Sequence, residues 1–132
     1  MTNTSLCPYC EKQAVIEHIN FAETIKVLGD KIETVSEILQ CSVCGGEFTT
    51  FVIEEKNYMK VYNIYRERHN ILPADKITEI RTELNLSRED FGLLLNLSEE
   101  AVNNIEEGYP FSDKMNKRIL LIQKIGRALQ EA

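Results

Sequence analysis

The chain has 132 residues, with 15 Lys/Arg against 21 Asp/Glu and a net charge of −6. The acid excess is even: seven cations face ten acids in residues 1–70, and eight face eleven in residues 71–132. Such a chain is a poor electrostatic match for nucleic acid, whose affinity rests largely on phosphate neutralisation, and a good match for a basic protein. No apolar run approaches the length of a membrane span, and the length allows one domain or two small ones.

Cys7, Cys10, Cys41 and Cys44 are the only cysteines, arranged as two Cys-x-x-Cys pairs thirty residues apart. Two such knuckles supply four thiolates, a closed tetrahedral shell for one structural Zn²⁺ per chain with no open position for catalysis. Gly45-Gly46 after the second pair suits a tight turn and close approach to a metal. The rivals are redox dithiols or two disulfides. A redox Cys-x-x-Cys belongs in a βαβ context, which the pattern lacks, and no signal peptide directs the chain to an oxidising compartment. The expected location is the cytoplasm. A module this small buries little apolar surface, so the metal is expected to supply part of its folding energy.

Between the knuckles, 24–28 and 31–39 are rich in Ile, Val and Thr with partial alternation, and Gly29-Asp30 is a turn signal. This reads as a β-hairpin carried into the second knuckle, with a further short strand over 47–53. From Glu54 the period becomes helical: Tyr58, Val61, Tyr62 and Tyr65 share one face. That helix is expected to fade near His69-Asn70, and Ile71-Leu72-Pro73 reads as a linker or hinge. Four helices follow. The first covers 75–84, with Ile77, Ile80 and Leu84 on one face. Ser87 caps a second over 88–95, and Ser98 caps a third with Ala101, Val102 and Ile105 inward, stopped by Gly108 and Pro110. Ser112 caps the last, with Met115, Ile119, Ile122 and Ile125 or Gly126 as its inner stripe.

The expected class is α+β, with a zinc-ribbon-like β module over 1–53, a helix and linker over 54–72, and a helix-turn-helix domain over 73–132. In the last, two short helices meet across Asn96-Leu97-Ser98, with Phe91 and Leu95 packing on Val102 and Ile105. That geometry projects the outer face of the second helix into a DNA major groove.

With these motifs in place, the chain resembles the MqsA-like antitoxins, which join a YgiT-type zinc finger to a Cro/repressor-type helix-turn-helix. The resemblance runs through both knuckles, Gly45-Gly46-Glu47-Phe48, the stretches 53–57 and 65–72, 77–81 and 86–91. It implies a zinc-organised domain that binds a toxin and a helix-turn-helix domain that dimerises and represses its own operon. The expected partners are therefore a basic toxin at the N-terminal module, double-stranded DNA at the helix-turn-helix, and a second copy of the chain.

The reading helix departs from that family. Its outer positions hold Glu99, Glu100, Asn103, Asn104, Glu106 and Glu107, four carboxylates and no cation. Glu accepts from cytosine and Asn reads adenine, so Glu100, Asn103 and Asn104 are the candidate base contacts, with Arg88 the candidate backbone contact. Lys114, Lys117 and Arg118 of the last helix are additional cations. The opposing expectation is an interaction protein or inhibitor, phage-borne for example, with a helix-turn-helix that no longer reads DNA. No enzyme is expected: His18 and His69 belong to no triad or metal motif, and no Gly-rich phosphate loop is present.

Overall fold

The computed structural model describes residues 4–131. Strands β1 (Thr4–Leu6), β2 (Gln13–Val27), β3 (Asp30–Cys41) and β4 (Glu47–Phe48) precede helices α1 (Phe51–His69), α2 (Ala74–Glu83), α3 (Arg88–Leu95), α4 (Glu99–Glu106) and α5 (Asp113–Glu131). The class is α+β, as the sequence implies. The chain divides into two compact units. One takes the residues up to Lys26 together with Lys31–Val61, and the other takes Val27–Asp30 and Tyr62 onward. The division thus falls inside α1, upstream of Pro73.

In the first unit the four strands lie in the order β1-β2-β3-β4. Thr4 faces Val15 across the antiparallel β1–β2 pair, and Leu39 faces Phe48 across β3–β4. The hairpin strands are longer than the Ile/Val-rich runs alone mark out, since β2 already begins at Gln13. The strand expected over 47–53 stops at Phe48. Thr50 ends it: its hydroxyl accepts from the Ile53 N–H at 3.3 Å and opens α1, so a local cap overrides the β preference of Phe51-Val52-Ile53. Helix α1 then guards the outer edge of β3. Asn57 accepts from the Glu37 N–H and donates to the Glu37 carbonyl, both at 3.0 Å, and the Lys60 ammonium donates to the Val35 carbonyl at 2.7 Å.

The core of the second unit is built from Ile77, Ile80, Phe91, Leu95, Val102, Ile105, Phe111 and Ile119, all buried. Most helix starts and stops have a local chemical cause, although α2 begins after Pro73 with no side-chain cap. Ser87, Ser98 and Ser112 accept from the N–H three residues on, each at 3.1 Å. Asn70, Asn85 and Asn96 follow α1, α2 and α3 in the left-handed region, at φ 53, 56 and 60°, and Gly108 follows α4 at φ 116°. The stretch read as a linker is pinned twice: Ile71 is buried, and the Leu72 N–H donates to the buried Asn116 side chain at 3.0 Å. On α5 the inward residue after Ile122 is Gly126, whereas Ile125 is exposed. A Cβ at Gly126 would stand 2.2 Å from Leu84 Cδ2, so this glycine is a seat for Leu84.

Candidate metal centre and helix-turn-helix face

The two cysteine pairs are built on one backbone plan. In the first, the Glu11 N–H donates to the Cys7 carbonyl at 2.9 Å and the Cys7 N–H donates to the Lys12 carbonyl at 3.1 Å. In the second, Gly45 donates to Cys41 at 2.9 Å and Cys41 donates to Gly46 at 3.0 Å. The residue after each pair turns left-handed, Glu11 at φ 58° and Gly45 at φ 73°. This plan leaves amide hydrogens aimed at sulfur. Tyr9 and Cys10 donate to Cys7 Sγ at 3.4 and 3.5 Å, Val43 donates to Cys41 Sγ at 3.4 Å, and Gly46 donates to Cys44 Sγ at 3.4 Å. Gly46 is sterically required, because a Cβ there would meet the Tyr9 ring at 2.6 Å. Tyr9 in turn donates its hydroxyl to the Glu47 carbonyl at 2.8 Å and sets its ring edge-on to Phe48.

The sheet brings the pairs together, and all four sulfurs lie within 4.8 Å of one another. Cys7 Sγ stands 3.7 Å from Cys44 Sγ, and Cys10 Sγ 3.9 Å from Cys41 Sγ. Cys7 and Cys41 are fully buried with Ala14, and Cys10 and Ile16 pack on them. The cluster can hold a metal ion. The Cys10 N–H, aided by that of Tyr9, holds the Cys7 thiol down to about 6 against burial. Cys10 is pushed up to about 11: the Lys12 backbone lowers it, but burial and the thiols of Cys7, Cys41 and Cys44 outweigh that. Four sulfurs at this spacing do not ionise together unless a cation shares the site.

The helix-turn-helix brings Phe91, Leu95, Val102 and Ile105 into the core as expected. The turn depends on Gly92, a residue the sequence reading passes over. Its carbonyl accepts from the Leu97 N–H at 2.7 Å, and a Cβ on it would stand 2.5 Å from the Leu97 carbonyl oxygen. A glycine inside a helix, costing about 1 kcal/mol relative to alanine, was the available signal.

The outer residues of α4 differ from the reading in one respect. Glu106 is not on the acidic face, since its side chain is only 3 % exposed. Its two oxygens accept from Arg81 Nε and Arg88 Nε, each at 2.6 Å, tying α2, α3 and α4 together. Arg88, the candidate phosphate contact, is therefore engaged within the fold. Glu99, Glu100 and Glu107 are exposed, and Asn103 is half-buried with its amide 3.3 Å from Glu107 Oε1. Asn104 is half-buried beside a shallow cavity of about 380 Å³ lined also by Leu28, Leu97, Ala101, Tyr109 and Met115. On α5, Arg118 donates to the Leu95 carbonyl at 3.2 Å and Lys117 pairs with Asp113 at 3.1 Å.

His18 pairs with Glu37, and His69 pairs with Asp30 at 3.0 Å while resting on the Tyr65 ring. No helix among the described residues is long and apolar enough to cross a membrane. Comparison with protein-family models and with curated proteins finds no match to this chain.

Proposed function

We propose that this chain is a zinc-organised binding protein of the antitoxin type, without enzymatic activity, whose N-terminal module holds a basic toxin protein. The observation that carries the zinc is the sulfur cluster. A Zn–S bond of about 2.3 Å makes the edge of a tetrahedron about 3.8 Å, and two sulfur pairs stand at 3.7 and 3.9 Å. Four thiolate donors with amide hydrogens behind them suit a structural ion. The partner reading rests on the resemblance to MqsA-like antitoxins and on charge. From Gln13 to Cys41 the chain carries five carboxylates against two lysines, which attracts a basic protein and speeds its association at low salt.

Transcriptional autoregulation is the second reading, favoured by the α3–turn–α4 arrangement that carries Glu100, Asn103 and Asn104. The acidic face of α4 and the engagement of Arg88 by Glu106 weigh toward a helix-turn-helix that serves as a scaffold. A homodimer is supported by the apolar groove between α2, α3 and α5, where Leu86, Leu94, Ile125 and Leu129 flank Gly126. A cytoplasmic, thiol-reducing setting agrees with four free cysteines.

The test is metal analysis joined to co-purification. The native chain should carry one zinc and retain the basic protein encoded beside it, and Cys41→Ser should lose both. A chain that purifies without zinc, or retains that partner equally after Cys41→Ser, overturns the reading. Gel shifts on its own promoter over a salt series separate autoregulator from scaffold.

A further inference from the structure

A strand at a sheet edge offers a row of N–H and C=O groups to any extended chain, and folds usually blunt such edges. This sheet treats its two edges differently. On the β3 side, β4 pairs with Leu39 and Gln40, Asn57 takes both backbone groups of Glu37, and Lys60 takes the Val35 carbonyl. On the β2 side, β1 pairs with Gln13–Val15 alone. Among the described residues no other strand lies beyond β2 on that side. The stretch from Ile19 to Lys26 is continuous strand without proline, and its one lysine stands at the far end.

A second feature adjoins that edge. Phe21, Glu23 and Ile25 of β2 line a cavity of about 280 Å³, closed by Glu37 of β3 and by Glu54 and Tyr58 of α1. Phe21 is 38 % and Tyr58 44 % exposed. Glu37 is already paired with His18 and Lys56, so Glu23 and Glu54 are the acids that, with the Phe21 and Tyr58 rings, make surroundings suited to the charged end of a lysine or arginine. A second copy of this acidic arm would meet like charge at the same edge, and an apolar strand would bury carboxylates without a counter-charge.

We propose that the outer edge of β2, from Ile19 to Lys26, is a strand-addition site for an extended basic segment of a protein partner. One lysine or arginine of the added strand sits against Phe21 and Glu23. The added strand would lie about 4.8 Å beyond β2, so a long cationic side chain on that face lies directly beside Phe21 and Glu23, at the β2 side of the cavity. Main-chain hydrogen bonds supply the affinity and the acidic cavity the choice of sequence. This rests on the reading that the N-terminal module holds a basic protein, and it names how.

The experiment is amide hydrogen exchange by NMR on the full, zinc-loaded chain, with a short peptide alternating arginine and valine as the probe. In the free chain, alternate amides from Ile19 to Lys26 should exchange fast while those between them, bonded to β3, exchange slowly. Saturating peptide should slow the fast set about tenfold or more. N-methylation of the peptide at one set of alternate nitrogens should weaken binding about thirtyfold or more, the loss of two or three backbone bonds, while methylation of the other set leaves it unchanged. Glu23→Lys should weaken the peptide without altering the rest of the spectrum. No binding, binding that protects no β2 amide, equal affinity of the two methylated peptides, or pairing of β2 with β2 in a dimer each overturns the proposal. A toxin retained by the N-terminal module with β2 amides unprotected would remove the edge site and leave the antitoxin function standing.

Discussion

Replacing Glu106 with alanine removes the one acid that holds three helices. The carboxylate is 3 % exposed and accepts from Arg81 on α2 and Arg88 on α3, each at 2.6 Å. A hydrogen bond to a charged group contributes about 1.5–3 kcal/mol, but the two bonds are not equal in consequence. Arg88 is 45 % exposed and can turn into water once released. Arg81 is 15 % exposed and would keep only its bond to the Leu86 carbonyl, at 3.0 Å, beside an unneutralised charge. The expected loss is therefore about 3–4 kcal/mol, near the lower end for breaking a buried pair and a large share of the roughly 5–15 kcal/mol that holds a domain folded. Gln should do almost as badly, because its NH₂ group would face a guanidinium. Urea unfolding followed by helical circular dichroism measures the loss. Cycles with Arg81→Ala and Arg88→Ala should assign the larger coupling to Arg81. The pH dependence gives a second check. Burial alone would raise the Glu106 carboxyl, yet Arg81 and Arg88 hold it below the usual range. The advantage of wild type over Glu106→Gln is then fully present above the unfolded carboxylate value of about 4.3. It is lost as pH falls through the lower folded value, so the two stability curves converge in acid. A loss under about 1 kcal/mol, or one that persists unchanged at acid pH, would refute the account.

Gly92→Ala should lower the melting temperature of the helical unit by several degrees. A cost of about 1–3 kcal/mol for forcing a Cβ against the Leu97 carbonyl outweighs the gain in helix preference, and an unchanged melting point would deny the close approach. Glu11→Gly should strengthen the first knuckle by about 1 kcal/mol, since Glu11 sits at φ 58° where only glycine is unstrained. Gly45→Ala, at φ 73°, should weaken the second knuckle by a similar amount. Metal release followed colorimetrically against denaturant reads both, and a shift of the same sign in the two variants would contradict the shared plan.

What the sequence made legible is chemistry confined to a few neighbouring residues. Ser87, Ser98 and Ser112 cap helices because a hydroxyl three residues upstream of an N–H has little else to reach. Asn96 and Gly108 stop helices through their own backbone freedom. Each cysteine knuckle belongs with these, because the spacing within a pair already sets two sulfurs side by side, whereas the meeting of the two knuckles depends on the sheet. The features that escaped depend on distant parts of the chain. Glu106 looks like its neighbour Glu107 until Arg81 and Arg88 are folded against it. Ile125 and Gly126 fit the helical period equally well, and Leu84 decides between them by occupying the space a side chain would need. The start of β2 was hidden for another reason. Its inward side changes along its length, Ala14 and Ile16 facing the sulfurs while Ile19, Glu23 and Ile25 follow the other parity, so no single alternation runs through it.

The twin knuckles also make any bound ion a crosslink between remote points of the chain. Cys7 and Cys44 are 37 residues apart. Closing a loop of that span removes about 4 kcal/mol of conformational entropy from the unfolded chain, if it is counted as a disulfide would be. A protease that nicks the turn at Gly29 would then leave two fragments joined through the metal as well as by the β2–β3 pairing, and chelation would remove the first of these ties.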